Sequence, residues 1–138
     1  MNDRELIKLA LEARKNAYMP YSDFAVGAAL LTKSGKVFTG CNIENSSYGA
    51  TNCAERTAIF KAVSEGEKDF LTIAVCGGLK EDEIPKGFAY PCGICRQVMR
   101  EFCNPETFRV IFCKSEDDYE VHYLKEILPF DFGPENLF

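Results

Sequence analysis

The apolar residues of this chain change several times between helical and strand spacing, and this alternation constrains the fold more than any other feature. Residues 3–17 carry leucine and alanine at helical spacing. Residues 25–32 and 37–42 are apolar runs on either side of a Lys-Ser-Gly-Lys turn, which predicts a hairpin. Residues 53–65 favour a second helix, for which Asn52 is the expected N-cap.

The second half of the chain continues this alternation. A buried strand is predicted at residues 70–77, and a helix is predicted to open at Pro91. Two further strands are predicted at 108–113 and 119–123, followed by a short helix at 124–128. Strands interleaved with helices favour an α/β fold, here a three-layer α/β/α sandwich with a mixed, mostly five-stranded sheet.

Length and composition limit the class of protein. A chain of 138 residues, 46% apolar and 27% charged, is expected to form one globular domain over residues 1–138. The net charge of -5 argues against nucleic acid as a partner, since nucleic-acid-binding proteins usually carry a basic face. No secretory signal or membrane-spanning run is evident, so we expect a cytoplasmic protein whose thiols stay reduced. The seven cysteines therefore need a role other than disulfide bonding.

Two short cysteine motifs are each expected at the first turn of a helix. They are Cys53-Ala54-Glu55 and Pro91-Cys92-Gly93-Ile94-Cys95. Cys92 and Cys95 would lie on one helical face, and Cys53 could supply a third sulfur from a neighbouring helix. Free N–H groups at helix N-termini favour the thiolate form. Three thiolates suit tetrahedral zinc and leave its fourth position open for water, as in catalytic zinc sites.

Glu55 adds a candidate proton carrier to the predicted zinc site. It follows Cys53 by two residues, where a carboxylate could take a proton from zinc-bound water and pass it to a substrate. The combination of Cys-x-Glu with Pro-Cys-x-x-Cys matches the signature of zinc-dependent deaminases.

The residues alone leave two other interpretations of the cysteines open. Cys92 and Cys95 could form a redox pair, since Cys-x-x-Cys at a helix start is also typical of thioredoxin-like proteins. A closed structural zinc site would need a fourth sulfur from one of the remaining cysteines, which are Cys41, Cys76, Cys103 and Cys113. His122 is the only histidine and is expected to be structural.

With both motifs placed, nearly the whole chain resembles the cytidine deaminases, in their small form with three cysteine ligands. Besides the two motifs, the resemblance is carried by Pro20-Tyr21-Ser22, Phe24, Val26-Gly27-Ala28-Ala29-Leu30, Gly40-Cys41-Asn42-Ile43-Glu44-Asn45, Lys61-Ala62-Val63-Ser64-Glu65-Gly66 and Leu128-Pro129. The resemblance implies one zinc ion per chain, bound by Cys53, Cys92 and Cys95. It also implies that Glu55 carries protons.

The resemblance further implies how a nucleoside would bind. Asn42 and Glu44 would bond the ribose hydroxyls, and Phe24 would pack on the pyrimidine. The backbone N–H of Ala54 would bond the base carbonyl, and the carbonyl of Pro91 is a further candidate for contact with the departing amine. From the residues alone, loop solvation is the simpler interpretation of Asn42 and Glu44, and core packing is the simpler interpretation of Phe24.

Other residues would act around the metal or between subunits. Arg56 would donate hydrogen bonds to the zinc-bound sulfurs and withdraw some of their negative charge, although a solvated helix position is an equal alternative. The family's small form is a homotetramer with sites completed by neighbours, and on that basis Ser46, Tyr48 and Phe132 would reach a neighbouring cavity. Phe130 could take the place of Phe132.

The function that the resemblance implies is hydrolytic deamination of cytidine and deoxycytidine to uridine and deoxyuridine in pyrimidine salvage. Zinc-bound hydroxide would attack C4 of the base while Glu55 carries protons. A blasticidin-type nucleoside deaminase shares the zinc motif and is the nearest alternative. Deamination of bases within RNA or DNA is disfavoured by the acidic balance, and a structural or redox thiol module is the non-enzymatic alternative. No membrane partner is expected.

Overall fold

The helices and strands follow one another in the order that the sequence predicts. A computed structural model describes residues 1–137. Its main elements are α1 (Asp3–Arg14), β1 (Phe24–Thr32), β2 (Val37–Cys41), α2 (Ala54–Ser64), β3 (Phe70–Leu79), α3 (Gly93–Phe102), β4 (Arg109–Ser115), β5 (Asp118–Tyr123) and α4 (Leu124–Ile127). Short 3-10 turns lie at Tyr48–Ala50 and Pro134–Asn136. No helix within residues 1–137 is long and apolar enough to cross a membrane.

The strands form one mixed sheet of five strands in the order β2-β1-β3-β4-β5. β1 runs antiparallel to both β2 and β3, and β4 runs antiparallel to β5. β3 and β4 are parallel, because α3 makes the crossover between them. The predicted mixed five-stranded sheet is confirmed.

The helices cover both faces of this sheet. Ile73 and Val75 of β3 pack in the apolar cluster that includes α2 and α3, whereas Ala74 and Cys76 pack in the cluster that includes α1. Successive residues of a strand face opposite sides, so a central strand between two helical layers is apolar throughout. The three-layer α/β/α arrangement is therefore confirmed.

Two glycines allow helices to lie directly on strands. A Cβ at Gly27 of β1 would lie 2.1 Å from the backbone oxygen of Ala10, on α1. A Cβ at Gly40 of β2 would lie 2.4 Å from the backbone oxygen of Ala54 and 2.6 Å from the backbone nitrogen of Ala58. The close approach at Gly40 fixes the N-terminus of α2, and with it the Cys53 motif, against β2.

The helix N-termini differ from the sequence-based prediction. The N-cap of α2 is Cys53 rather than Asn52, and α3 has Cys92 as its N-cap and begins at Gly93 rather than Pro91. The backbone of Asn52 is paired with Ile43 in both directions, at 2.9 Å for each hydrogen bond. This pairing keeps Asn52 extended, so the chain turns into the helix one residue later, with a metal-binding residue type at each cap.

Candidate active site

Three cysteine sulfurs meet where α2 and α3 begin side by side. The Sγ atoms of Cys53, Cys92 and Cys95 all lie within 4.8 Å of one another. The Cys53 and Cys92 sulfurs are 3.7 Å apart. Cys53 and Cys92 are both N-caps, and Cys95 lies in the first turn of α3. The two motifs that are distant in the sequence therefore form one site.

The donor set fits a zinc ion with an open position. Sulfurs bound tetrahedrally at 2.3 Å from zinc lie about 3.8 Å apart, which is close to the observed separation of Cys53 and Cys92. Within residues 1–137, no fourth histidine, cysteine, aspartate or glutamate belongs to the group. The cysteines considered as a fourth ligand, Cys41, Cys76, Cys103 and Cys113, lie outside it. The arrangement is therefore typical of a catalytic zinc site and not of a closed structural one.

Arg56 places a positive charge directly against the sulfurs. Its Nη2 donates to Sγ of Cys53 at 3.2 Å, and its Nε donates to Sγ of Cys95 at 3.4 Å. The backbone N–H of Cys95 donates to Sγ of Cys92 at 3.4 Å. These bonds stabilise negative charge on sulfur. Arg56 is therefore bonded to the sulfurs and does not extend freely into solvent.

The thiols of Cys53 and Cys95 titrate as a pair. Their mutual hydrogen bond is the largest influence on both, and it lowers the pKa of Cys53 to about 5. Arg56 also lowers the pKa of Cys53. The same Cys53 interaction, together with burial, raises the pKa of Cys95. These influences favour the thiolate form of Cys53, which is the form that binds a metal ion.

Glu55 is buried beside the sulfurs without joining the metal-binding group. Its residue exposure is only 3%, and it lies one position after the first residue of α2. Burial is the main cause that raises the pKa of its carboxyl group to about 7, while its own backbone N–H opposes the shift. A carboxyl group with such a pKa can both accept and donate a proton near neutral pH.

A cavity of about 350 Å³ opens at this centre. The predicted site residues that line it are Phe24, Asn42, Cys53, Ala54, Glu55 and Cys92. Its volume falls in the range of small-molecule sites, which is about 300–1,000 Å³. Two of the three predicted metal ligands, the predicted proton carrier and the predicted base contacts therefore share one cavity, and Cys95 lies outside its lining.

Sequence reasoning missed several walls of this cavity. Val26, Val75, Thr51, Ala89 and Tyr90 also line it. Strand alternation could have identified Val26, because it lies two residues after Phe24 on the same face of β1. No local signal marks Ala89 and Tyr90, which lie in the segment without helix or strand that precedes α3.

Asn42 and Glu44 are anchored by the backbone of neighbouring segments. The Oδ1 of buried Asn42 accepts from the N–H of Val26 at 2.9 Å, and its Nδ2 donates to the oxygen of Phe24 at 2.8 Å. Glu44 accepts from the backbone N–H of Tyr21 at 2.9 Å. It also accepts from the hydroxyl and N–H of Ser22, and the hydroxyl bond is the main cause that lowers its pKa. Both side chains are thus held in place, unlike freely solvated loop residues.

A second cavity adjoins the first. It measures about 400 Å³ and is lined by Tyr21, Ser22, Glu44, Tyr48 and Thr51. Thr51 is shared with the first cavity. Glu44 and Tyr48 are therefore next to the metal-side cavity but do not line it.

The C-terminal aromatic residues lie apart from both cavities. Phe130 is fully exposed and Phe132 is more than half exposed. The backbone oxygen of Phe132 accepts from Nε2 of Gln97 at 2.8 Å, and Arg100 of α3 pairs with Asp131. The segment is thus fixed to α3, with its two aromatic rings facing outwards.

The carbonyl of Pro91 already has one partner. The Nε of Arg96 donates to it at 2.8 Å, and the Nη1 of Arg96 donates to the oxygen of Ile127 at 2.6 Å. A carbonyl oxygen has two lone pairs, so a second acceptor site remains for a ligand.

The chain is similar to proteins of one family over almost its whole length. The family model of the cytidine and deoxycytidylate deaminase zinc-binding region matches residues 1–113. A cytidine deaminase of Halalkalibacterium halodurans is 50% identical over 137 residues, which cover 99% of this chain and 98% of that protein. A blasticidin-S deaminase of Bacillus cereus is 37% identical over 79% of this chain and 78% of its own.

A solved structure shares the fold. The crystal structure of a cytidine deaminase from Burkholderia pseudomallei has a TM-score of 0.86 and 47% sequence identity. The match covers 96% of this chain and 100% of the other. Together with the sulfur geometry, the match to a zinc-binding family region confirms the prediction of zinc as cofactor.

Proposed function

The chain belongs to the cytidine and deoxycytidylate deaminase family, and we propose that it hydrolyses cytidine and deoxycytidine to uridine and deoxyuridine. One water is consumed and one ammonia is released for each nucleoside. The observation that carries this function is the cavity in which buried Glu55 adjoins the sulfurs of Cys53 and Cys92.

The metal-side residues prepare the nucleophile. Cys53, Cys92 and Cys95 would hold the zinc ion, and Arg56 would offset part of the negative charge of three thiolates. When bound, zinc supplies a Lewis acid that makes a water molecule acidic enough to act as a nucleophile near neutral pH.

Glu55 moves the protons of the reaction. It takes one proton from the attacking water and delivers it to N3 of the base. It later takes the second proton from the new hydroxyl at C4 and delivers it to the amine, which leaves as ammonia while the C4 carbonyl forms. Burial raises the pKa of its carboxyl group above the ordinary value, which suits a group that both accepts and donates protons.

The cavity walls would bind the nucleoside. Phe24 would pack on the pyrimidine, and the backbone N–H of Ala54 in the first turn of α2 would donate to the base carbonyl. Asn42 and Glu44 would bond the ribose. The carboxamide of Asn42 can do so because one N–H and one lone pair of its oxygen remain beyond its backbone bonds.

We also propose a homotetramer in which Ser46, Tyr48 and Phe132 reach the cavity of a neighbouring subunit. The exposure of Tyr48 is 77%, and aromatic residues are enriched in protein–protein interfaces relative to the rest of the surface. Sedimentation of the zinc-loaded protein tests the assembly, and Phe132→Ala compared with Phe130→Ala tests which ring matters. A monomer with full activity would contradict it.

The domain organisation and the cellular compartment of the protein are also proposals. We propose that residues 1–138 act as one zinc-dependent deaminase domain and that the protein works in the cytoplasm in pyrimidine salvage. The acidic net charge of -5 is compatible with a small neutral substrate and does not favour a phosphate backbone.

Zinc content measured together with ammonia release from cytidine tests the function. We expect about one zinc per chain, because residues 1–137 hold one group of metal-binding residues, and we expect ammonia release that depends on that zinc. Blasticidin S is the competing substrate. Faster ammonia release from blasticidin S than from cytidine would show that cytidine is not the preferred substrate. Zinc without release of ammonia from either nucleoside would overturn the proposed activity.

A further inference from the structure

We propose that Arg14, in the helical layer opposite the three sulfurs, is a positioning residue that fixes two walls of the substrate cavity relative to each other. The proposal rests on the proposed deaminase function, since the cavity is the one described above. It assigns a role to a residue that contacts neither the metal-binding group nor the cavity.

Arg14 is buried and donates to backbone oxygens of two different segments. Its Nε donates to the oxygen of Ala25, in β1, at 3.0 Å. Its Nη2 donates to the oxygen of Leu79 at 2.6 Å, and its Nη1 donates to the oxygen of Asp82 at 2.9 Å. Among the described residues, no carboxylate forms an ion pair with it within 4.0 Å. The guanidinium is therefore used as a fork of donors and not as half of a salt bridge.

Two glycines, Gly27 and Gly78, leave space for Arg14 to lie against β1 and β3. A Cβ at Gly27 would lie 2.6 Å from the backbone nitrogen of Arg14 and 2.9 Å from its Cα. A Cβ at Gly78 would lie 3.3 Å from Nη2 of Arg14. Gly27 thus makes room for the backbone of Arg14, and Gly78 makes room for its guanidinium.

The first segment that Arg14 holds is the start of β1. Ala25 faces the α1 layer, while its neighbours Phe24 and Val26 line the substrate cavity on the other side. Asp23, just before them, has a φ of 56°, which is uncommon for a residue other than glycine. Such strain persists only where surrounding contacts hold it.

The second segment is the connection from β3 to α3. Leu79 ends β3, and the chain then runs through Asp82 to Ala89 and Tyr90, which line the cavity, and on to Cys92. Its first residue, Lys80, donates its N–H to the oxygen of Asp23 at 2.8 Å. Arg14 therefore ties the two cavity walls together from behind the sheet.

Loss of this tie should weaken nucleoside binding more than it weakens metal binding. Without the guanidinium, the oxygens of Ala25, Leu79 and Asp82 lose a charged donor, and the connection beyond Lys80 loses its bond to α1 at Asp82. The sulfurs of Cys53 and Cys95 keep Arg56 as their donor in either case.

The test uses Arg14→Lys and Arg14→Met as zinc-loaded enzymes at a temperature where each is fully folded. Lysine keeps the charge but cannot supply the fork of N–H donors, and methionine removes every donor. We expect zinc content to be unchanged and kcat/KM for cytidine to fall by about tenfold or more, mainly through a higher KM. Amide hydrogen exchange over residues 80–90 should become faster in both variants.

Arg109→Met is the matched control, because Arg109 binds Asp3 at the opposite end of α1. We expect it to lower thermal stability without changing KM or exchange over residues 80–90. The positioning role fails if Arg14→Lys folds with the KM and exchange of the unmodified protein. If Arg14→Met does not fold, Arg14→Lys alone decides. If the unmodified protein releases no ammonia from cytidine, the proposed function fails, and hydrogen exchange still tests the tie.

Discussion

The guanidinium of Arg56 donates a hydrogen bond of 3.2 Å to the sulfur of Cys53, three residues before it in the chain. Three thiolates around one zinc ion carry a net negative charge, which makes a bound water less acidic than in a site with neutral ligands. A positive charge bonded to the sulfurs withdraws part of that charge. The acidity of the nucleophile therefore depends on a residue that is itself not a ligand.

Replacing Arg56 by glutamine should reduce activity by about 10- to 100-fold, the usual range for partners of metal ligands. Glutamine keeps a hydrogen-bond donor but removes the charge, so the fold is expected to persist. The measurement is kcat for cytidine per bound zinc. Arg4→Gln is the control, because Arg4 lies on the surface, where it pairs with exposed Asp117. Equal activity in the two variants would contradict the role of Arg56.

Glu55→Gln should lose about 100-fold or more in kcat, because glutamine cannot carry protons. The amide has nearly the same shape as the carboxyl group, so the fold and the zinc content should stay. The nearby variant Glu65→Gln, at the C-terminal end of the same helix, should keep full activity. A Glu55→Gln enzyme with more than a tenth of normal turnover would show that protons move by another route.

Cys92→Ser should lose most of its zinc, since a serine hydroxyl is a much weaker zinc ligand than a thiolate at neutral pH. Cys41→Ser is the matched control, because Cys41 lies outside the group of three sulfurs. Zinc per chain after dialysis measures the difference. Removing zinc with a chelator should likewise abolish activity, and added zinc should restore it. Retention of full zinc by Cys92→Ser would exclude Cys92 as a ligand.

The ion pair between Asp3 and Arg109 predicts a pH-dependent part of the stability. Hydrogen bonds of 2.9 and 2.7 Å from Arg109 hold the pKa of Asp3 below its ordinary value. A lowered pKa in the folded state stabilises the fold above the unfolded-state pKa, and this contribution is lost as pH falls through the folded-state pKa.

Asp3→Asn should therefore lower the free energy of unfolding by about 0.5–1 kcal/mol at pH 7, since the pair is partly exposed. The difference from the unmodified protein should shrink as pH falls from about 5 towards 2. Urea unfolding of both proteins across this range measures it, because acid release of zinc affects both alike. A difference that stays constant with pH would contradict the pair's contribution.

The element order and the three-layer fold could be predicted because they depend on patterns between near neighbours in the chain. Alternating and helical apolar spacing reports which side of each segment is buried. The order of the strands within the sheet and the exact ends of the helices were harder to predict from the sequence. Asn52 illustrates this, because its pairing with distant Ile43 keeps it extended and moves the cap to Cys53.

Residue type and spacing could mark three cysteines and Glu55 as candidates for a metal ion and a proton carrier. Only the resemblance to a known family favoured that interpretation over a redox pair or a closed structural zinc site. The sequence could not decide whether Arg56 was solvated or bonded to sulfur. It also gave no sign that Ala89 and Tyr90 line the cavity. Each of these facts depends on how separate segments approach one another.

The residue types and their spacing by themselves determined the order of helices and strands, and they marked Cys53, Glu55, Cys92 and Cys95 as candidates for one site. Only the tertiary structure decided that α2 and α3 begin side by side, that no fourth ligand within residues 1–137 joins the sulfurs, and that Arg14 ties β1 to the β3–α3 connection. The reason is that local spacing sets which face of a segment is buried, whereas distances between segments are set by the packing of the whole sheet and its helices.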